Sequence, residues 1–230
     1  MPFETPGKTA PKEFKDPPSS HHYRLNDGSF CPSVTTVLGC LAKGDGLMEW
    51  SNSLGFKGLR YKEHLDSLAR TGTLAHAKIE ADLRGTAAPD ETGYTEEEQR
   101  GAFASHFHFR AWRRTHEVRA LALERVFVSE ALRVGGTVDA ILEVDSQPII
   151  VDFKTSAKPY LSHFLQLAAY QALVRETMGH NLPVMVLCLP RVGGGYTEAL
   201  VQPDERLGAY LDTFLAAKRL YDSLQQHPEH

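Results

Sequence analysis

The amino-acid sequence predicts an α/β domain with a mixed β-sheet, and three observations carry that prediction. Up to about Glu117 the apolar residues recur mostly at helical spacing. Beyond Arg119 the pattern changes to short runs rich in β-branched residues, ALALERVFVSE, TVDAILEV and PIIVDFKT, separated by brief connections. An apolar-periodic stretch, FLQLAAYQALVRETM, then separates the third run from a fourth, LPVMVLCLP. Helices first, then β-β-β-α-β and a closing helix, describe one α/β unit.

Taken in order, the first eighteen residues hold five of the thirteen prolines, with Lys8, Lys12 and Lys15 and no large aliphatic side chain. Such a stretch cannot bury a core, so residues 1–20 are expected to be a flexible tail. Residues 21–230 are expected to form one domain, helical over 21–118 and α/β over 119–230. Ser33 is placed to cap a helix over VTTVLGCL. A second helical stretch runs from about Leu59 to Leu83, with a break expected at Thr71-Gly72-Thr73. A third begins near Thr95, where TEEEQ sets acids in a first turn, and continues towards Trp112.

Gly135-Gly136 and Asp145-Ser146-Gln147 are read as the two tight connections of an antiparallel meander. The amphipathic helix that follows ends at Gly179. Next come the buried-type strand LPVMVLCLP, the strand YTEALVQP and the helix DERLGAYLDTFLAAKRLYDSL. Gly193-Gly194-Gly195 lacks a Lys-Ser/Thr and a following helix, so it reads as a hairpin turn rather than a phosphate cradle.

The chain of 230 residues carries 25 Lys and Arg against 29 Asp and Glu, a formal charge of −4. That argues against a protein that holds nucleic acid mainly by bulk positive charge. It leaves a nuclease open, because bound cations can supply charge where phosphate sits. No apolar run is long enough to span a bilayer, and no hydrophobic leader is present, so a cytoplasmic protein without a membrane partner is expected. Three cysteines, Cys31, Cys40 and Cys188, are too few for a disulfide framework or an iron–sulfur cluster held by four.

The chemistry concentrates between Thr137 and Tyr170. Asp139 and Asp152 each interrupt an apolar strand, where propensity and desolvation both disfavour an acid. Lys154 lies two residues beyond Asp152 and shares its face. Carboxylates of this kind can hold Mg²⁺ or Mn²⁺, and an adjacent ammonium can orient or deprotonate a water or stabilise growing phosphoryl charge. The D-x-K spacing recurs as an acid-x-Lys at Glu13-Phe14-Lys15, which has no strand to hold it. The bland alternative for Asp139, Asp152 and Lys154 is a buried structural salt bridge.

The segments GTVDAILEV, IIVDFKTSAKP and QLAAY resemble the core of PD-(D/E)XK nucleases of the RecB-like exonuclease group. More narrowly they are similar to phage-encoded exonucleases and to exonucleases of the mitochondrial genome maintenance type. PSVTTVL at Pro32 to Leu38 resembles the group's N-terminal motif, and Gly72-Thr73-Leu74-Ala75-His76 its G-T-x-x-H segment. The resemblance implies a restriction-endonuclease-like mixed sheet flanked by helices, with the N-terminal helical region covering the active site. It implies that His76, Asp139, Asp152 and the backbone carbonyl of Phe153 hold Mg²⁺ or Mn²⁺. Lys154 would position or activate the water, and Gln166 and Tyr170 would match the Q-x-x-x-Y motif. The sequence departs from the superfamily's name in lacking a proline before Asp139 and in having Asp at 152.

Glu80, one turn after His76, and Glu130, on the strand before the hairpin, are candidates to support the metal site; each reads equally well as a solvated charge. Arg110, Arg113 and Arg114, near Phe107, Phe109 and Trp112, are candidates to track a phosphate backbone. The expected activity is a metal-dependent DNA exonuclease that favours single-stranded ends, in recombination, repair or phage DNA processing, with a helicase or recombinase as a conceivable partner. The alternative is a catalytically idle nuclease-like domain that binds DNA ends or a recombination partner.

Overall fold

The structure, a computed structural model, describes residues 22–41, 45–58 and 60–226. The proline-rich tail expected over residues 1–20 lies outside the described residues. The chain opens with a two-stranded antiparallel hairpin, β1 (His22–Arg24) and β2 (Phe30–Pro32), which helical periodicity could not reveal in strands three residues long. Ser33 then caps α1 (Val34–Leu38), its hydroxyl accepting from Thr36 N at 2.9 Å as expected.

Helix α2 covers Asp45–Phe56, and α3 runs unbroken from Tyr61 to Arg84. The break expected at Thr71-Gly72-Thr73 is absent. The Thr71 and Thr73 hydroxyls donate to the carbonyls of Ser67 and Ala69, one turn back, so neither competes for the helix's own amides. Helix α4 (Glu96–Arg113) starts at a reciprocal Thr95–Glu98 capping box.

The main sheet has the order β3-β4-β5-β6-β7. Strands β3 (Val118–Ser129), β4 (Val134–Val144) and β5 (Gln147–Lys154) form the antiparallel meander. Helix α5 (Leu161–Met178) crosses over to β6 (Val184–Cys188), which pairs parallel to β5. Strand β7 (Thr197–Val201) returns antiparallel, and α6 (Glu205–Gln226) closes the fold. The sheet is therefore mixed, as the sequence predicts. Asp145 and Ser146 make the β4–β5 turn with φ of 49° and 69°, the left-handed pair that a two-residue hairpin requires.

Two further details depart from expectation. Gly135 and Gly136 do not form a turn; they lie inside β4, and the β3–β4 connection is at 130–133, where Arg133 has φ 49°. Close packing explains these glycines. A Cβ on Gly135 would stand 2.3 Å from Tyr23 Cγ, and one on Gly136 would stand 2.5 Å from Tyr170 Cε1. Helix α5 is also not one-sided, because Leu165 to Val174 are all buried. It lies between the sheet and a layer made by α1 and α6, and a helix apolar all round belongs in such a place. On the opposite face Ile79, Phe109 and Trp112 of α3 and α4 pack against Ala140, Val151, Phe153 and Leu187.

Candidate active site

Strands β4 and β5 part company at one point, and the site lies there. Their ladder runs from Val144↔Gln147 to Ala140↔Val151 and stops, while β5 keeps pairing with β6 as far as Lys154↔Cys188. One step beyond the last β4–β5 pair, Asp139 stands level with Asp152. On the other side of β4, the pairs Leu123↔Ala140 and Arg125↔Val138 bracket Glu124 and Asp139. Three acids from adjacent strands, Glu124, Asp139 and Asp152, thus form a row. Like charges directly opposite one another destabilise a sheet, so this row stands against the fold's own preference.

The inner end of the row is dry. Asp152 is 1% exposed. Lys154 Nζ donates to Asp152 Oδ1 at 2.9 Å and to Gln166 Oε1 at 3.2 Å, and Gln166 Nε2 donates to Tyr170 Oη at 3.0 Å. Asp152 Oδ2 lies 2.8 Å from Nζ, but without hydrogen-bond geometry. Among the described residues it is the one buried side-chain oxygen left without a hydrogen bond. Burial pushes the Asp152 carboxyl above its ordinary pKa, against the pull of Lys154. For Lys154 burial acts downwards, but the charges of Asp152 and Asp139 outweigh it, so the ammonium is held above its ordinary value. Burial, with the nearby carboxylates, likewise keeps the Tyr170 phenol protonated.

The outer end is open. His76 on α3 donates from Nε2 to the carbonyl of Phe153 at 3.0 Å, while Asp139 Oδ2 accepts from the Phe153 amide at 2.9 Å. The edge of β5 that β4 has left is therefore held by these two side chains. His76 Nδ1 is 3.6 Å from Asp139 Oδ2. One ligand atom each from His76, Glu124 and Asp139 lie within 4.8 Å of one another. The three line a cavity of about 450 Å³ together with Gly72, Thr73 and Glu80. Partial desolvation first, and then the charge of Asp139, push the Glu124 carboxyl up to about 7. Glu124 itself sits at a positive φ of 48°.

The expected residues are thus placed as follows. His76, Asp139 and the Phe153 carbonyl come together; Asp152, Lys154, Gln166 and Tyr170 come together beside them. Glu80 lines the cavity and is paired with Arg84 at 2.7 Å. Glu130 does not reach the site: it sits past the end of β3, and its carboxylate accepts from Asn26 N at 2.9 Å. Six residues of strand separate it from Glu124, roughly 20 Å. Glu124 is the acid on β3 that the sequence reading missed. Its only signal was an acid opposite Asp139 in a strand register that could not be read before the turn was located.

Arg113 and Arg110 bind Asp82, the latter at 3.7 Å, on the far side of α3 from the cavity. Arg114 ends α4, and Phe109 and Trp112 are core residues. His163, at the start of α5, also went unnoticed. Burial and the charge of Lys154 lower its pKa to about 4, and its Nδ1 accepts from Tyr160 N at 3.2 Å.

Fold and site together define a mixed-sheet domain with an acid–lysine centre of the kind that phosphodiester hydrolysis uses. A family model, the PD-(D/E)XK nuclease superfamily, matches residues 54–225, and the chain belongs to that superfamily. The resemblance read from the motif residues holds at that level. Its members use divalent metal ions. No curated protein matches the chain. Among solved structures, one from Eubacterium rectale described as a candidate exonuclease shares 13% identity, with 66% of this chain and 68% of that chain covered and a TM-score of 0.42. The structure of LHK-Exo in complex with dAMP shares 14% identity over 69% of this chain and 86% of that chain, with a TM-score of 0.37. No helix among the described residues is long and apolar enough to cross a membrane.

Proposed function

We propose that this chain is a divalent-metal-dependent deoxyribonuclease that digests DNA from free ends and favours single strands. The observation that carries the proposal is the row of three acids ending in the Asp152–Lys154 pair. A fold does not keep such a row at a strand fork for stability.

The donor set fits Mg²⁺ or Mn²⁺. His76, Glu124 and Asp139 offer one nitrogen and two carboxylates, and the buried Asp152 Oδ2 offers an oxygen that no hydrogen bond occupies. The Phe153 carbonyl is beside them, its present partner being His76 itself. When bound, the cation supplies Lewis-acid polarisation of the phosphoryl oxygens and lowers the pKa of water.

The chain's own residues do the rest. An ammonium has three N–H donors. Asp152 and Gln166 accept two from Lys154, which leaves one for the attacking water or a non-bridging phosphate oxygen. Held between Asp152 and Gln166, Lys154 is placed to orient the water and to stabilise the charge that grows on the phosphoryl oxygens. Water attacks phosphorus as the bond to the leaving oxygen breaks; the water gives its proton to solvent at the open cavity, the leaving oxygen takes one from solvent, and no covalent intermediate forms on the protein. Tyr170 fixes Gln166, and Gln166 fixes Lys154.

The requirement for an end is supported by α3. Its Gly72, Thr73, His76 and Glu80 wall one side of the cavity beside the end of β5, which narrows the approach for a duplex more than for a single strand. The test is a gel of end-labelled single- and double-stranded DNA with Mg²⁺, Mn²⁺ or EDTA, run beside covalently closed single-stranded circles. Loss of the linear single strand first, with circles spared, is expected. Rapid loss of circles would make the protein an endonuclease, and no loss under either metal would leave an idle DNA-binding domain.

A further inference from the structure

The outer face of α4 carries a feature that the acid–lysine site does not use. Arg100, Phe103, Phe107, Arg110 and Arg114 follow one another at intervals of three and four. At 100° per residue they fall within a single stripe less than a quarter of the helix circumference wide. All five are exposed, with Phe103 and Phe107 at 63% and 55%. The opposite side of the helix is buried through Ala102, Ser105, Phe109 and Trp112, so the stripe faces away from the sheet. From Arg100 to His116 the chain contains no acid. In a protein with net charge −4 this is a local reversal of sign.

At the head of the stripe is a second cavity of about 450 Å³, between α3, α4 and the loop after β6. Arg100 and Arg191 line it, with Glu97 at its rim. Neither arginine has an ion pair among the described residues. The cavity is held close to the catalytic strand by two bonds in series. Ser105 Oγ donates to Leu189 O at 2.8 Å, and Leu189 N donates to Lys154 O at 2.7 Å. Arg191 follows Leu189 by two residues.

We infer that the Arg100–Arg191 cavity and the Arg/Phe stripe of α4 form a second contact surface for a single DNA strand, beyond the cleavage site. This rests on the nuclease reading above and extends it to the part of the substrate that is not being cut. Guanidinium groups on either side of a pair of aromatic rings suit a single strand, because phosphates pair with the cations while unpaired bases stack on the rings without regard to sequence. A duplex hides those base faces. From Arg100 to Arg114 the helix rises about 21 Å, enough for several nucleotides. Arg113 is committed to Asp82 and serves to hold α4 against α3, and Arg110 shares that carboxylate more loosely, at 3.7 Å.

The experiment measures fluorescence anisotropy of labelled oligo(dT) with the full chain in EDTA, where cleavage is silent. Phe103→Ala with Phe107→Ala removes two stacking platforms and should weaken binding of a long oligonucleotide by roughly ten- to a thousandfold. Arg100→Glu with Arg191→Glu should lower the salt dependence by about 0.7 in slope for each phosphate that is no longer neutralised. Arg219→Glu, on exposed α6, should change neither. Circular dichroism checks that each variant folds, which surface positions permit. Affinity unchanged in both double variants overturns the inference, as does an equal loss for a trinucleotide, which would place these residues at the cleavage site. A wild-type chain that binds oligo(dT) only weakly, but whose aromatic stripe captures an amphipathic peptide, overturns it in favour of a protein partner. Cleavage by the wild type in Mn²⁺ is read separately: a chain that binds through the stripe but does not cut breaks the nuclease reading and leaves this one standing.

Discussion

At the inner end of the acid row, the partly buried Lys154 and the buried Asp152, Gln166 and Tyr170 form a file in which each group is oriented by the next. At the outer end, His76, Glu124 and Asp139 face an open cavity, and their hydrogen bonds are makeshift: His76 holds the very carbonyl that it would share as a metal ligand. The same charges meet opposite physical treatment a few ångströms apart. Water exclusion and packing fix the inner file before any substrate arrives, so its contribution lies in preorganisation. The outer group stays solvent-accessible, and in the proposed reading an incoming cation would complete it.

The two ends should therefore fail differently when cut. The largest effect is expected at the inner end. Lys154→Ala should lower kcat by roughly a thousandfold or more while DNA binding in EDTA survives, because the lost donor acts mainly in the transition state. A near-normal single-turnover rate would refute the role. Asp139→Asn comes next: calorimetric titration with Mn²⁺ should lose its tight phase, and an unchanged titration would make Asp139 structural. His76→Ala should weaken metal affinity about 10- to 100-fold, partly rescued by raising Mn²⁺, whereas no metal concentration should rescue Lys154→Ala.

Smaller still is Gly136→Ala. Its Cβ would press on Tyr170, and overpacking of this kind destabilises by about 1–3 kcal/mol. Thermal denaturation and a several-fold drop in rate should report it together. The smallest prediction is a pH effect at the mouth. The Glu124 pKa in the fold, about 7, lies above the ordinary 4.5, so the folded state holds a proton that the unfolded chain releases. That contribution is complete below pH 4.5 and is lost as pH rises through about 7. In EDTA, Glu124→Gln should therefore show a shallower fall in Tm between pH 5 and 8 than the wild type. An identical profile would mean that Glu124 is solvated. Mn²⁺, which prefers the carboxylate, should bind more tightly as pH rises, and less steeply so in the variant.

How much of this was legible depended on whether the signal was local. Asp139, Asp152 and Lys154 stood out because charge inside an apolar strand contradicts its neighbours within three residues. Ser33, Thr95 and Gly179 were readable because capping is also local chemistry. Glu124 was invisible because it belongs to the site only through register across β3 and β4, and β3 is polar enough for one more acid to look ordinary. Gly135 and Gly136 misled for a related reason: glycine in a sequence looks the same whether it bends a chain or yields space to an aromatic ring. The all-round burial of α5 depended on α1 and α6 covering it, which no window over α5 contains. Phe109 and Trp112 looked like stacking partners until the fold turned them inwards, and Phe103 took their place on the surface.

The hairpin at the start of the described chain has a practical consequence for any attempt to shorten the protein. The family match begins at residue 54, and a fragment cut there would look complete by sequence. Yet Tyr23 lies over Gly135 and bonds Thr137 Oγ1 at 3.0 Å, Ser33 bridges to Gly135, and Val34 and Val37 are buried against the sheet's α5 face. Removing residues 1–53 would strip the cover from the strand that carries Asp139, two residues from Thr137, and leave a glycine-floored trough open to water. Such a fragment should express poorly or aggregate. For this protein the smallest unit worth crystallising or assaying is set by what leans on β4, not by where the recognisable motifs begin.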